Sequence, residues 1–259
     1  MARALVTGAG QRLGQSIAID LAKRGFDVAV HYASSEAGAK DTCAAVAAHG
    51  QRGVALQADL LTEAGSTELL SRAADALEGP ITCLVNNASI FEPDELETAT
   101  RQSWDRHMES NLRAPFVLMQ AMAHQGLKAQ RDAAGEPVAT GLVVNMLDQR
   151  VRKLTPMFST YTLAKMGLWA LTQTAAQSLA PHIRVNAVGP GPTLQGARQS
   201  ADEFASQRAS TVLQRGVNPS DITAAVGYFL DAKAVTGQLI CVDGGQNLAW
   251  QTPDVTGAE

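Results

Sequence analysis

Tyr161 and Lys165 stand four residues apart in the run Y-T-L-A-K. A helix there puts both on one face. A tyrosine hydroxyl ordinarily ionises near pH ~10. A neighbouring ammonium favours the phenolate and pulls that value toward working pH. Such a tyrosine exchanges a proton with an oxygen or nitrogen that is being reduced or oxidised. Taken alone, the pair reads equally as surface chemistry. Asp148 adds to it: thirteen residues before Tyr161, it closes the apolar run that begins at Val144. The carboxylate is either part of the proton site, a helix cap, or the partner of Arg150 or Arg152.

A second constellation lies at the N-terminus. T-G-A-G-Q-R-L-G, Thr7 to Gly14, follows an apolar strand and opens a helix. Gly8, Gly10 and Gly14 let the backbone approach a pyrophosphate, whose charge the helix N-terminus favours. The spacing departs from the usual G-x-G-x-x-G, with three residues before the last glycine. Arg12 puts a cation within the turn. The second strand ends in Val30-His31-Tyr32-Ala33-Ser34-Ser35, without the acid that would accept from an unphosphorylated ribose. His31, Ser34 and Ser35 are the groups that could receive a 2′-phosphate, which favours NADP(H) over NAD(H). His31 also reads as a strand-end residue satisfied by backbone. Asp59-Leu60 ends the third strand, where a side chain can meet an adenine edge and cap the next helix. After the fourth strand, Asn86 reads as structural, Ser89 offers a hydroxyl, and Phe91 is either core or a flat platform. Asn111 sits inside a helical stretch, where asparagine competes with its own backbone; one reading is a kink near Pro115.

The elements that must position these groups alternate. Short β-branched runs fall at Ala4–Thr7, Val28–His31, Val54–Gln57, Cys83–Val85, Leu142–Asn145, Ile183–Val188 and Leu239–Val242. Alanine-rich helical stretches separate them; Leu13, Ile17, Leu21 and Ala22 form one apolar face. Runs that are apolar throughout fit strands buried on both faces of a parallel sheet. The pattern predicts an α/β fold: one Rossmann-like, doubly wound domain over residues 1–259, with a seven-stranded parallel sheet and helices on both faces. Lys128–Thr140 reads as a surface loop. Leu194–Gln214 is helical in composition and predicts a flap over the strand ends, about residues 193–213. The chain is 46% hydrophobic with a net charge of -4, which gives no reason to expect nucleic acid or an anionic membrane as partner. Cys43, Cys83 and Cys241 form no CxxC pair and read as reduced core residues, with no metal site. With no signal peptide or membrane-length apolar run in view, the expected location is cytoplasmic. The tail after Gly245, with Trp250, either packs or reaches a neighbouring subunit.

Together these residues resemble the short-chain dehydrogenase/reductase family. The match runs through the glycine turn, D-L at Asp59, N-N-A-S at Asn86, Asn111, Y-T-L-A-K, V-G-P-G-P-T from Val188 and V-D-G-G at Val242. The resemblance implies a homotetramer and a catalytic group carried here by Asn111, Tyr161 and Lys165. It also implies cofactor contacts from Gly8, Gly10, Arg12, Leu13, Gly14, Tyr32, Asn87, Ala88, Ser89, Tyr161, Lys165, Pro190, Gly191 and Thr193. Where most members have serine, this chain has Asp148. It is similar there to the pteridine reductases, which share Arg12, His31-Tyr32, N-A-S-x-F from Asn87 to Phe91, and Asp148. That likeness implies a pterin stacked on Phe91, with Arg12, Ser89, Asp148 and Tyr161 as substrate contacts. Ala33-Ser34 replaces a basic residue found in well-known members.

The chemistry agrees with the substitution. Ketone reduction builds negative charge on oxygen, which a facing carboxylate opposes. Reduction of a pterin C=N bond puts a proton on nitrogen, and the ring offers N–H donors to a carboxylate. The expected activity is therefore NADPH-dependent reduction of a pterin or dihydrofolate. The alternatives are a reductase of another carbonyl or imine, and a non-catalytic dinucleotide sensor.

Overall fold

The computed structural model describes residues 2–196 and 198–250. The ends of the 1–259 range and the tail beyond Trp250 lie outside the described residues, as does Ala197 within the flap. Seven parallel strands form one sheet: β1 (Ala2–Val6), β2 (Phe26–Tyr32), β3 (Gly53–Gln57), β4 (Cys83–Asn86), β7 (Gly141–Met146), β8 (Ile183–Pro190) and β9 (Leu239–Val242), in the order β3-β2-β1-β4-β7-β8-β9. The chain winds outward from β1 in both directions, so the crevice at the strand ends opens between β1 and β4.

Strand side chains alternate between two cores. Ala4, Val6, Val28, Val30, Val85 and Val144 pack under α1 (Arg12–Lys23), α2 (Glu36–Ala47) and α9 (Pro219–Asp231). Leu5, Ala29, Leu84, Val143 and Val185 pack under α4 (Leu69–Ala76), α6 (Ala114–His124) and α7 (Ser159–Leu179). The predicted face of α1 is the one buried: Ile17, Leu21 and Ala22 are at most 1% exposed. The remaining helices are α3 (Glu63–Thr67), α5 (Arg101–Met108) and α8 (Ala201–Ala209).

Three expectations are corrected. Lys128–Thr140 is not a plain loop: β5 (Gln130–Arg131) pairs antiparallel with β6 (Pro137–Val138). Asp132 sets that turn, its Oδ1 accepting from the amides of Ala134 and Glu136. Among the described residues the flap is helical only in α8, which begins where Ser200 and Glu203 form a reciprocal cap. Of the cysteines, all free, only Cys83 is in the core; Cys43 and Cys241 are half-buried. Among the described residues no helix is long and apolar enough to cross a membrane.

Leu84 lies fully buried in the middle of the sheet. Leu84→Ala should lower the unfolding free energy by about 2–5 kcal/mol, read by chemical denaturation as a lower midpoint at unchanged slope.

Candidate active site

The carboxyl ends of β1, β2, β3, β4, β7 and β8 open on one cleft of about 1030 Å³. All the residues predicted for cofactor, substrate and catalysis line it except Asn111.

The glycine turn is held by side chains as well as by backbone bonds from Thr7 N to Val85 O and Ala9 N to His31 O. Gly8, at φ 64°, donates its N–H to His31 Nδ1 at 3.0 Å. Asn87 Nδ2 donates to the carbonyls of Thr7 and Gly8, and Thr7 Oγ1 accepts from the amides of Asn87 and Ala88. A methyl on Gly14 would sit 2.2 Å from Gly8 O, so only glycine lets α1 start this close. No side chain caps α1 and no acid stands in its first turn. Its free amides and Arg12 therefore face the cleft as an anion site. The N-terminus of α2 faces the same cleft, and Ser35 at its start makes no capping bond.

His31 does not belong to the phosphate set. It is 1% exposed, and with Nδ1 accepting from Gly8 its Nε2–H donates to Ala58 O at 3.1 Å. Burial, with the Arg72 charge behind it, pushes its pKa from 6.5 down to about 4; the Ala58 bond and Asp59 oppose this without prevailing. The neutral ring has no N–H left for a ligand, and it works as a strut between the ends of β1 and β3. Asp59 does not cap α3 either: Oδ1 accepts from Leu61 N, and Thr62 makes the cap. Ser34, Ser35 and Tyr32 remain at the predicted place.

Arg12 occupies the left-handed region at φ 55°, where a glycine would be relaxed. Its guanidinium donates to Gln195 O at 2.9 Å and Leu194 O at 3.2 Å in the flap. Two more arginines tie the flap to carbonyls: Arg198 to Phe91 O, and Arg208 to Pro192 O and Val217 O. Thr193, predicted for the cofactor, is 7% exposed and donates to Gly191 O. Gly191 itself packs on Asp243, where a methyl would fall 2.5 Å from the Asp243 Cα. Asp243 in turn accepts from the amides of Gly245 and Asn247.

At the other end of the cleft, Tyr161 Oη donates to Asp148 Oδ2 at 3.0 Å. Asp148 Oδ1 accepts from Arg150 N and caps the short helix Gln149–Val151, so the cap reading holds while Oδ2 faces the tyrosine. Among the described residues no ion pair joins Asp148 to Arg150 or Arg152. Lys165 is 2% exposed and donates to Met146 O at 2.8 Å. Burial lowers its pKa to about 8 against the pull of the Asp148 charge. Tyr161 departs from expectation. Its pKa is raised well above 10, first by burial and then by the charge and hydrogen bond of Asp148, while Ser89 and Arg150 oppose. Burial and the carboxylate hold the group as a phenol, with the Lys165 Nζ 5.7 Å from the ring centre.

Asn111 is fully buried in a one-turn π-helix, Glu109–Arg113. Its Oδ1 accepts from Ile90 N at 2.9 Å and its Nδ2 donates to Ile90 O at 2.8 Å. It fastens the loop after β4, and the π-turn that holds it breaks the regular helix just before Pro115. Phe91 is a platform and not core: it is 43% exposed, stacks on Phe158 at 4.2 Å between ring centres, and meets Tyr161 edge-on at 4.8 Å. Phe158, Gln149, Arg150 and Arg198 also line the cleft and carry no motif to announce them. Phe158 stands at φ 59°, a conformation its sequence does not signal.

This fold with this arrangement defines a dinucleotide-dependent oxidoreductase. Residues 8–247 match the family described as enoyl-(acyl carrier protein) reductase. The chain is 33% identical over 256 residues to a short-chain dehydrogenase/reductase of Armillaria gallica, covering 93% of this chain and 94% of the relative. It is 32% identical over 247 residues to a 3-oxoacyl-[acyl-carrier-protein] reductase of Staphylococcus epidermidis, covering 93% and 97%. Among solved structures it resembles the FolM alternative dihydrofolate reductase 1 of Brucella suis in complex with NADP. There the identity is 41%, the TM-score 0.90, and 98% of each chain is covered. The chain belongs to the short-chain dehydrogenase/reductase family and is an oxidoreductase.

Two outcomes follow from the turn. Arg12→Gly removes a strained backbone and a cation together; stability should rise by up to about 1 kcal/mol while NADPH affinity, read by fluorescence titration, falls at least about tenfold. His31 has its folded pKa below its unfolded one, so it contributes stability above pH 6.5 that is lost as pH falls through about 4. Roughly 3 kcal/mol should disappear across that window, and denaturation at stepped pH should show His31→Asn losing less.

Proposed function

We propose that this protein is an NADPH-dependent reductase of a pterin or dihydrofolate C=N bond, carried out by a single domain. The cofactor is NADP(H). The uncapped start of α1 with Arg12 suits its pyrophosphate, and Ser34 and Ser35 at the start of α2 suit a 2′-phosphate. When bound, the cofactor supplies hydride.

The observation that carries the substrate reading is the 3.0 Å bond from Tyr161 to Asp148. Asp148 stands where a serine would serve a ketone. Its free carboxylate positions accept the N–H donors of a pterin, and Tyr161, kept protonated, delivers its proton to the ring nitrogen. Asp148 accepts from the Tyr161 hydroxyl at rest and so orients the phenol. Lys165 lies close enough to stabilise the phenolate that remains. Phe91 provides the face for a flat ring, with Ser89 beside it. Asn111 holds the loop that carries both. A carbonyl substrate is the second reading, since the Staphylococcus relative is named a 3-oxoacyl reductase; Asp148 favours the nitrogen heterocycle. A non-catalytic sensor has no use for the buried tyrosine and lysine.

The protein works in the cytoplasm as a homotetramer. In support of assembly, α6 and α7 leave an apolar groove of Phe116, Met119, Leu171 and Leu179, with Phe116 43% exposed.

The test follows NADPH oxidation with dihydropterin, dihydrofolate and a panel of simple ketones. Pterin or folate turnover is expected; turnover of ketones alone sinks the reading. Asp148→Ser should cut pterin reduction by about a hundredfold and leave NADPH affinity within about twofold. Equal activity would make Asp148 only a cap.

A further inference from the structure

We propose that Thr160 is a positioning residue that, through Asp94 and His107, fixes the separation of Phe91 from Tyr161. The inference rests on Tyr161 as the proton donor, and not on the identity of the substrate.

The α7 helix begins without its own cap. Phe158, the residue before it, is left-handed and offers no side-chain acceptor. Asp94, from the loop after β4, takes that part from a distance. Its carbonyl accepts from Ser159 N at 3.2 Å, and its Oδ1 accepts from Thr160 N at 3.1 Å. Thr160 Oγ1–H donates to Asp94 Oδ2. An acid at this end also suits the helix dipole.

The hydroxyl proton is therefore committed to Asp94, and the oxygen is left to accept. His107 Nδ1–H fills it at 2.7 Å. That fixes the tautomer, because the bare Nε2 accepts from Glu92 N at 3.2 Å. The chain of donors runs in one direction, from the Glu92 amide through His107 and Thr160 to Asp94. Asp94, His107 and Thr160 are 6%, 0% and 3% exposed. Water cannot replace a lost member, and each missing partner leaves a buried polar atom unpaired.

The place of the chain gives it its effect. Glu92 follows Phe91, and Thr160 precedes Tyr161. The loop with the flat platform is thus fastened at Glu92 and at Asp94 to the residue next to the proton donor. The His107 ring also packs edge-on against Tyr161, 5.9 Å between centres. The ion pair of Arg106 with Glu92 braces the loop from α5. Two cleft walls that belong to distant parts of the chain are held at 4.8 Å by three buried side chains. Errors of about 1 Å in such a gap cost as much as a hundredfold in rate.

Thr160→Val keeps the shape and deletes both bonds; Thr160→Ser restores the hydroxyl. The assay uses whichever panel compound the wild type reduces fastest. For Thr160→Val we expect kcat to fall between about ten- and a hundredfold, with the NADPH dissociation constant within about twofold and Thr160→Ser within about threefold of wild type. Unchanged kcat in Thr160→Val overturns the proposal. So does a parallel loss of NADPH affinity, or a serine variant as slow as the valine. If wild type reduces only ketones, the pterin reading fails while this test proceeds. If it reduces nothing, ultraviolet titration of the phenol replaces kinetics, with Tyr161→Phe assigning the signal. A Tyr161 ionisation lowered toward its ordinary value in Thr160→Val supports positioning, and an unmoved one overturns it.

Discussion

A parallel sheet stops abruptly at its carboxyl end, and the backbone groups there must be paired by something other than the next strand. In this protein side chains share that pairing with the backbone, and the cleft takes its shape from the requirement. Thr7, His31 and Asn87 close the ends of β1, β2, β3 and β4 around the glycine turn. Lys165 takes the carbonyl of Met146 at the end of β7. Asp243 secures the segment that packs on Gly191 after β8. The polar residues at strand ends are therefore scaffold as well as site. Replacing one costs geometry before it costs chemistry.

This double use explains what is legible in the sequence. Strand positions, the order of the motifs and the cleft they share follow from local patterns. β-branched runs and glycine turns constrain short stretches strongly, and burial of the α1 face follows from helical periodicity alone. The glycine turn, Asp148, Tyr161 and Lys165 meet as their spacing predicts. His31 is harder. Its type suits a phosphate, but its hydrogen bonds are claimed by Gly8 and Ala58, which sit far away in sequence. Asn111 poses the same difficulty, since its partner Ile90 belongs to another loop. Phe158 gives no signal, because a left-handed phenylalanine is imposed by packing and not by propensity. The hairpin at β5 and β6 hangs on one aspartate in a polar stretch that otherwise reads as a loop.

The electrostatics of the proton site also depend on distance more than on sequence. Tyr161 and Lys165 share a helix face, which suggests an acidified phenol. The ammonium is instead turned to the Met146 carbonyl, while the carboxylate bonds the hydroxyl directly. Burial raises the phenol pKa most, and the Asp148 contact adds to it. The phenol therefore carries its proton before any reaction, and its raised pKa makes it a weaker acid than an exposed tyrosine. Asp148 thus acts on Tyr161 whatever substrate stands beside it, and its role as a cap fixes the angle from which it does so.

Alongside the backbone bond from Leu213 N to Gly244 O, the flap is fastened by the guanidinium groups of Arg12, Arg198 and Arg208, which donate to neutral carbonyls. Arginine does not titrate in the range where proteins stay folded, so acidity leaves these clasps alone. Phosphates and carboxylates are far better guanidinium partners than a peptide oxygen. An anion that enters the cleft therefore competes with these carbonyls for the same arginines.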